Sequence, residues 1–305
     1  MRPDSGITIE PLFTPTESAG SARGPLALSV IIPMFRERDR VELALRDVLA
    51  SLPGRGVTPS EVLLVDDGSD DDTAGVCRAV VEELRAGLDP SIHRITLVTT
   101  LQNRGKGAAV RTGLAHASGR WRLIMDADNA TAIDQLDRLL SHTQTAGTEM
   151  VIGSRNTPDA VVEAQAFRQL TGIVFKTALS VLGIRLARDT QCGFKLYSDR
   201  AAALVVEHGE ANGYCFDIEH LLLVRAAGAR FTEVGVRWHH VEGGQISPIR
   251  DGLRMLRAAH RIKHRLSTLG PIELPAEGTE ARPGVFVETK PAETKPLAAS
   301  PGVGH

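Results

Sequence analysis

The stretch Trp121-Arg-Leu-Ile-Met-Asp-Ala-Asp-Asn129 joins an apolar run to two aspartates separated by one alanine. The run that ends at Met125 has the pattern of a short buried strand, bounded upstream by Gly119. Asp126 and Asp128 therefore lie where a strand of an open α/β sheet reaches its carboxyl edge, where such sheets bind ligands. Two adjacent carboxylates favour a cation between them, and a divalent metal that holds a diphosphate is one interpretation. The other is a polar turn in which one aspartate caps the next helix.

The composition is that of a globular protein with a sizeable core. The chain has 305 residues, 42% of them hydrophobic, and a formal net charge of −2, and this length predicts one or two domains. Because Lys and Arg are not in excess, we expect no nucleic-acid partner. Cys77, Cys192 and Cys215 form no C-x-x-C pair, which favours a reduced, intracellular setting.

The sequence predicts neither a secretory signal nor a membrane-spanning helix. The first residues contain no basic region followed by an apolar one. The longest apolar window, Ile173 to Ile184, is interrupted by Lys176 and is shorter than the roughly 18 residues that a span needs. We therefore expect a soluble or peripheral protein.

Strand-like and helix-like segments alternate along the chain. Strands are predicted at 28–32, 62–65, 95–98, 121–125 and 149–152, with helical apolar spacing after the first two and from Gly105 to Ala117. This order predicts a mostly parallel sheet covered by helices. Crossovers between parallel strands are right-handed, so the turns that follow the strands gather at one edge. Asp67, Asp126, Asp128 and Arg155 should therefore lie close together.

Both ends of the chain are rich in Pro, Gly, Ser and Thr, which predicts a disordered leader over 1–25 and a disordered tail over 269–305. Between the domain and this tail, residues 246–268 are predicted to form a basic amphipathic helix, clearest from Ile249 to Leu266. Its arginines share one stripe (250, 254, 257, 261 and 265) and its apolar residues another (Met255, Ala259, Ile262 and Leu266). Such a helix suits an anionic membrane surface, or packs on the domain with a solvated basic face.

Two further turns and one loop have ligand-binding character. Pro33-Met-Phe-Arg-Glu37 follows the first predicted strand and Val65-Asp-Asp-Gly-Ser-Asp70 the second, although Asp-Asp-Gly is also an ordinary tight turn. Asn103-Arg-Gly-Lys-Gly107 opens a helix, so its backbone N–H groups could face a phosphate with Lys106 as counter-charge. The spacing is not that of a P-loop.

The combination of these motifs indicates a protein family more specifically than any single motif does. The segments 33–37, 65–69, 103–107, 126–128, 153–155 and Gln191-Cys-Gly-Phe-Lys195 occur in an order that resembles the family 2 glycosyltransferases of the GT-A fold. Within that family the chain is similar to polyprenyl (dolichyl) phosphate sugar synthases, particularly the dolichyl-phosphate β-glucosyltransferases. The runs 189–195 and 215–219 are the most subgroup-specific parts. The resemblance implies a single Rossmann-like α/β domain over 26–245 with a mostly parallel central sheet flanked by helices.

The resemblance also implies a nucleotide-sugar donor, UDP- or GDP-linked, and inverting transfer of a hexose, glucose or mannose. Pro33, Phe35 and Glu37 would line the nucleoside pocket, Asp67 would read the base, and Lys106 would face the phosphates. Asp126 and Asp128 would hold Mg²⁺ or Mn²⁺ on the diphosphate, with Asp128 the more direct ligand. Two positions depart from the family's pattern: Ala130 stands where mannosyltransferase relatives carry Gln, and Arg36 where Asn is common.

The acceptor determines which other side chains are needed. A lipid monophosphate has a second pKa of about 6 and is already an oxyanion at neutral pH, so it needs positioning cations rather than a base. Arg155 and Lys195 are the candidates. A sugar hydroxyl would instead need a carboxylate base, either Asp217 or Glu219. The structural alternatives are that Arg155 pairs with a nearby aspartate and that Asp217 caps a helix.

The leading hypothesis is a metal-dependent, inverting hexosyltransferase that acts on a polyprenyl phosphate at the cytoplasmic membrane face. It would dock peripherally through Phe167–Ile184 and Ile249–Leu266. The alternatives are a soluble glycosyltransferase with a hydroxyl acceptor and a non-catalytic nucleotide-sugar-binding protein. A metal pair at His239-His240 is not favoured, since neighbouring residues of a strand point to opposite faces.

Overall fold

The structure is a computed structural model that describes residues 6–14, 25–163, 184, 186–241 and 248–279, with the backbone alone at 248–254. Its strands are β1 (Ile7–Phe13), β2 (Leu28–Met34), β3 (Ser60–Asp66), β4 (Ile92–Thr100), β5 (Trp121–Ile124), β6 (Thr148–Ser154), β7 (Val161–Glu163), β8 (Lys195–Ser198), β9 (Arg230–Gly235) and β10 (Arg237–His239). The α-helices are α1 (Val41–Ser51), α2 (Thr73–Leu84), α3 (Lys106–His116), α4 (Leu136–Leu140), α5 (Asp199–His208), α6 (Phe216–Ala226) and α7 (Pro248–Thr268).

A central sheet is built in the order β1-β4-β3-β2-β5-β8-β6-β9, and β7 and β10 form a small parallel pair beside it. Within the described residues, only β1 and β8 run against the other strands of the central sheet. The predicted α/β fold with a mostly parallel sheet is thereby confirmed. The chain moves outward from β2 to β4 and then returns to place β5 on the other side of β2. The carboxyl ends of β2 and β5 thus form the topological switch point at which such sheets bind ligands.

The helices cover both faces of the sheet, which explains the continuous apolar runs in its central strands. All seven residues of β2 are buried. Val30 and Ile32 face a core layer that includes side chains of α1 and α2, whereas Ile31 faces a second layer with α3, α5 and α6. A parallel strand buried on both faces needs no polar alternation.

The predicted disordered leader is wrong for Ile7–Phe13, which pairs antiparallel with β4 as β1. Leu12 is buried in the core, and Glu10 forms an ion pair with Arg78 of α2 at 2.8 Å. Pro11 is tolerated because β1 is an edge strand among the described strands, so a missing N–H can face outward. The averaged composition of residues 1–25 hid this short apolar segment.

The tail also differs from the prediction over residues 269–279. Ile272 and Leu274 pack against the second core layer. The Pro275 carbonyl accepts a hydrogen bond from Arg200 Nε at 2.7 Å, and Gly278 N–H donates to Asp199 at 2.7 Å. Local polar composition did not reveal these long-range contacts. Residues 280–305 lie outside the described part of the chain.

The C-terminal helix α7 packs on the domain. Ala259 and Ile262 of its apolar stripe are buried against Ile218 and Leu222 of α6. The prediction that the apolar stripe of Ile249–Leu266 contacts a bilayer is therefore wrong at these positions, since the domain covers them. The other predicted docking segment, Phe167–Ile184, lies outside the described residues except for Ile184, which is buried in the same cluster. Among the described helices, none is long and apolar enough to cross a membrane.

Candidate active site

The two aspartates of the opening motif lie in a tight loop directly after β5. Met125 N–H donates to the Ile31 carbonyl at 3.0 Å, which aligns the loop with the end of β2. Ala127 is buried and Asn129 adopts a left-handed φ of 56°, while Asp126 and Asp128 remain half-buried. Burial, together with the charge of Asp126, raises the pKa of Asp128. The two carboxylates are thus close enough for the charge of Asp126 to act on Asp128.

Lys106, the first residue of α3, supplies a positive charge to this pair. Its Nζ lies 2.7 Å from Asp126 Oδ1. Burial alone would lower the pKa of Lys106, but the charge of Asp126 and the hydrogen bond to it outweigh that effect and raise the pKa. Asp217 and Asp128 act in the same direction. Lys106 is therefore a firmly protonated cation beside the two aspartates.

Asp67 fixes the loop that carries Lys106. Its carboxylate is buried and accepts hydrogen bonds from the backbone N–H groups of Arg104 at 3.0 Å and Gly105 at 2.7 Å. Thr100 Oγ1 donates to its other oxygen at 3.2 Å. Burial raises the pKa of Asp67, and these donors counteract the shift. Asp67 thereby connects the end of β3 to the loop before α3.

The expectation that backbone N–H groups of 103–107 face a phosphate is wrong for most of them. The Asp67 carboxylate accepts hydrogen bonds from the N–H groups of Arg104 and Gly105. The Asn212 carbonyl accepts hydrogen bonds from Gly107 N at 2.7 Å and Ala108 N at 3.4 Å. A side chain at Gly107 would overlap the Ala211 carbonyl oxygen. These glycines allow a close backbone approach between two loops, and the Lys106 side chain remains the group available to an anion.

The turn after β2 brings a third carboxylate to the site. Pro33 is buried, and Phe35 is half-buried with the Arg36 guanidinium 5.1 Å from its ring centroid. Arg40 forms an ion pair with Glu37, with 2.7 Å between Arg40 Nε and Glu37 Oε2. Burial raises the pKa of Glu37 to about 7, and the charges of Asp128 and Asp126 contribute. Of the predicted nucleoside-pocket residues, Glu37 therefore lies near the aspartate pair.

Lys195 and Asp217 form a buried ion pair. Lys195 Nζ is 2.6 Å from Asp217 Oδ1 and also donates to the Cys192 carbonyl, and the two side chains are 1% and 8% exposed. Burial raises the pKa of Asp217, and Lys195 counteracts the shift. Neither predicted role, Lys195 as a phosphate-contacting cation or Asp217 as a free base, fits groups that are enclosed and paired with each other.

Arg155 is held by Asp189, the structural alternative that the sequence left open. Its Nε and Nη2 donate to the two oxygens of Asp189 at 2.7 and 2.9 Å, and its backbone N–H donates to the same carboxylate. Burial alone would raise the pKa of Asp189, but Arg155 lowers it to about 2. The guanidinium carbon lies 5.6 Å from the Trp238 ring centroid, and the side chain keeps 30% exposure. Sequence reasoning did not predict that Asp189 orients Arg155, although Asp189 is the first residue of the subgroup-specific run 189–195.

The remaining candidates have backbone or structural roles. Glu219 is fully buried, accepts from the N–H groups of Glu210 and Ala211, and pairs with Arg265 at 2.7 Å. It is thus occupied and unsuited to act as a base. The His239 side chain is exposed, and its N–H donates to the Ala130 carbonyl, joining β10 to the aspartate loop. Within the described residues, no three His, Cys, Asp or Glu side chains form a complete metal site.

The residues present nevertheless suit a hard divalent cation that is shared with a ligand. Asp126 and Asp128 supply carboxylate oxygens, the ligand type that Mg²⁺ and Mn²⁺ prefer. Glu37 lies close enough for the charges of Asp128 and Asp126 to act on it, and Arg40, whose Nε is 2.7 Å from Glu37 Oε2, balances its own charge. Two protein carboxylates leave several coordination positions for phosphate oxygens and water. The pair can therefore hold a metal only together with another oxygen donor.

Comparisons with known proteins agree with this geometry. A family described as "Glycosyl transferase family 2" matches residues 29–203. Dolichyl-phosphate β-glucosyltransferases of Saccharomyces cerevisiae and Homo sapiens are 32% and 30% identical to the chain, each over 75% of it and 72% of the relative. The one from Drosophila melanogaster is 33% identical over 76% of the chain and 73% of its own length.

Two solved structures share the fold. Mannosyl-3-phosphoglycerate synthase from Rubrobacter xylanophilus has a TM-score of 0.57 at 22% identity, covering 79% of this chain and 73% of that one. Glucosyl-3-phosphoglycerate synthase from Mycobacterium tuberculosis, in complex with Mn²⁺, UDP-glucose and phosphoglyceric acid, has a TM-score of 0.56 at 19% identity and covers 80% of both chains.

Proposed function

Because the chain belongs to glycosyl transferase family 2, and so is a glycosyltransferase with the GT-A fold, we propose that it transfers a hexose to a polyprenyl phosphate of the dolichyl type. The donor is a UDP- or GDP-linked sugar, the sugar is glucose rather than mannose, and the reaction inverts the anomeric centre. Support for the sugar and the acceptor comes from relatives at about 30% identity that are named dolichyl-phosphate β-glucosyltransferases.

One observation carries the proposal: the half-buried pair Asp126 and Asp128 at the switch point of the sheet, beside Lys106. In this proposal the two aspartates hold Mg²⁺ or Mn²⁺ on the donor diphosphate, and Lys106 adds a further positive charge. A bound metal would neutralise the charge that develops on the leaving nucleoside diphosphate. Pro33, Phe35 and Glu37 line the nucleoside pocket next to this site, and Asp67 keeps the Lys106 loop in position.

The enclosed carboxylates favour a phosphate acceptor over a hydroxyl. Asp217 and Glu219, the two predicted bases, are buried in ion pairs. A lipid phosphate needs no base, since it is an oxyanion at neutral pH. One phosphate oxygen attacks C1 of the hexose opposite the diphosphate. The bond between C1 and the diphosphate oxygen breaks, and the nucleoside diphosphate leaves with the electron pair. Arg155 retains its Nη1 edge outside the Asp189 pair and is the cation we assign to the acceptor phosphate.

The location that fits this acceptor is the cytoplasmic face of a membrane, with the protein bound peripherally. Arg257, His260, Arg261 and His264 are exposed along α7, on the side opposite its buried Ala259 and Ile262. Since the domain covers those apolar residues, contact with anionic lipids through this part of α7 would be electrostatic and sensitive to salt.

A donor and acceptor screen tests the proposal. The protein is incubated with dolichyl phosphate in detergent and with one donor at a time: UDP-glucose, UDP-galactose or GDP-mannose. Mass spectrometry then identifies the lipid product. We expect a hexosyl-phosphate lipid from UDP-glucose, lost with a chelator and in Asp128→Ala. Efficient transfer to a free sugar hydroxyl without lipid would overturn the acceptor assignment. Tight nucleotide-sugar binding without turnover of any acceptor would favour a non-catalytic binding protein.

A further inference from the structure

Asp126 already has a cationic partner in the structure. Lys106 Nζ lies 2.7 Å from Asp126 Oδ1, and the two side chains are 31% and 30% exposed. Asp126 Oδ2 lies against the Cα of Gly193, where a side chain at position 193 would overlap it. The backbone at Gly193 therefore bounds the carboxylate on that side. A metal ion that takes Oδ1 must compete with the ammonium group.

A second carboxylate, that of Asp217, also acts on Lys106. Asp217 is itself fixed by Lys195 at 2.6 Å in the interior. Charges thus alternate from the buried Lys195 through Asp217 and Lys106 to Asp126. If Lys106 leaves Asp126, Asp217 still provides a favourable field for it. The ammonium can then move to a phosphate oxygen without entering an uncompensated position.

We propose that Lys106 is a resident counter-ion of Asp126, which it holds in the free enzyme and releases to a divalent cation arriving with the donor. This inference rests on the proposed function, because it concerns the same diphosphate site. Lys106 keeps the aspartate pair from carrying unbalanced charge before the donor binds. Its release couples metal binding to donor binding, since Lys106 then contacts the diphosphate. Metal alone is bound weakly, and metal with nucleotide is bound well.

A simpler role for Lys106 makes the opposite prediction. If Lys106 only contacts the diphosphate, its removal leaves the affinity for the metal alone unchanged. If Lys106 orients Asp126 for the metal, its removal weakens that affinity. Removal of a competing counter-ion makes the free protein bind metal more tightly, and by more than the loss of a cation that does not contact the aspartates. The affinity for the metal without nucleotide therefore separates the three roles.

The experiment measures Mn²⁺ binding to the full-length protein by electron paramagnetic resonance of free Mn²⁺, first without nucleotide and then with UDP. Asp128→Ala identifies the site, since its loss of Mn²⁺ binding in the presence of UDP assigns the metal to the aspartate pair. Unchanged binding in Asp128→Ala would overturn the proposed metal site itself. Thermal unfolding of each variant verifies that it is folded.

For Lys106→Met we expect Mn²⁺ alone to bind about three- to tenfold more tightly, the range of a half-buried charge-assisted contact. UDP should bind this variant more weakly in the presence of Mn²⁺. Lys106→Arg keeps the cation and should not tighten Mn²⁺ binding. Arg36→Gln removes the same charge from the exposed pair with Asp70 and controls for a general field effect. Unchanged or weaker Mn²⁺ binding in Lys106→Met, or equal tightening in Arg36→Gln, would overturn the counter-ion proposal.

Discussion

Gly193 and Asp126 are in direct contact: a methyl group at position 193 would occupy the space of the Asp126 carboxylate. The backbone of the segment before β8 therefore packs against Asp126, one of the two proposed metal ligands. This contact joins two motifs that are distant in the sequence, Gln191–Lys195 and Asp126-Ala-Asp128. Gly193 follows Asp128 by 65 positions. It explains in steric terms why glycine stands at position 193.

Gly193→Ala should displace the Asp126 carboxylate and leave the fold intact, because the overlapping atoms belong to a side chain. We expect kcat/KM to fall by roughly 10²-fold, as an ångström-scale misplacement of a catalytic group does. Gly213→Ala is the matched control, since a side chain there meets no atom within 4 Å. Steady-state kinetics and thermal unfolding of both variants check this. Full activity in Gly193→Ala would show that the exact place of Asp126 is unimportant.

Lys195→Met should destabilise the protein by about 3–5 kcal/mol, because it leaves Asp217 buried without its counter-charge. Asp217→Leu should cost a similar amount for the same reason. The double variant Lys195→Met with Asp217→Leu should recover much of the loss, since no buried charge remains. Urea unfolding of the three variants measures these free energies. Losses that simply add in the double variant would mean that the two charges are not coupled.

Glu219→Gln should lower the free energy of unfolding by about 1–3 kcal/mol and leave kcat nearly unchanged. The carboxylate joins two backbone N–H groups and Arg265, so the amide keeps part of these contacts and loses the ion pair. Urea unfolding and initial rates at low temperature separate the two effects. A fall in kcat of about 10²-fold or more in fully folded protein would instead assign Glu219 as a general base.

Glu37 should make the free protein less stable as pH rises from about 4.5 to about 7. Its pKa is about 7 in the folded state against 4.5 for an unperturbed carboxyl, so the folded state holds the proton more tightly in this window. The penalty for ionising Glu37 is absent below the window and reaches at most about 3 kcal/mol above it. Glu37→Gln should remove this decline. Unfolding free energies of both proteins from pH 4 to pH 8 test it, and parallel curves would contradict it.

Sequence patterns located the fold and the aspartate pair because both depend on local features. The buried strand from Trp121 and the polar turn after it follow from hydrophobic periodicity and from the sheet-edge rule. The family resemblance assigned Lys106 and Glu37 to the donor site. In the structure Lys106 Nζ lies 2.7 Å from Asp126 Oδ1, and the charges of Asp128 and Asp126 act on Glu37.

The partners of individual charges were not predictable in this way. Lys195 was interpreted as a phosphate-binding cation, yet it pairs with Asp217, 22 positions later in the chain. Arg155 binds Asp189, which lies 34 positions away. Such pairs are set by which strand lies next to which, and here β8 inserts between β5 and β6. No local pattern carries that information.

The first strand has a consequence for how the protein is handled. β1 covers one side of β4 from Thr100 to Ile95, and β4 has β3 on its other side. A shortened protein that begins at residue 25 would expose the edge of β4 from Ile95 to Thr100, with its outward N–H and C=O groups unpaired. Exposed strands of that length recruit other chains, so the shortened protein would self-associate although its aspartate site is intact. The segment before residue 14 thus protects solubility, and expression boundaries belong upstream of Ile7.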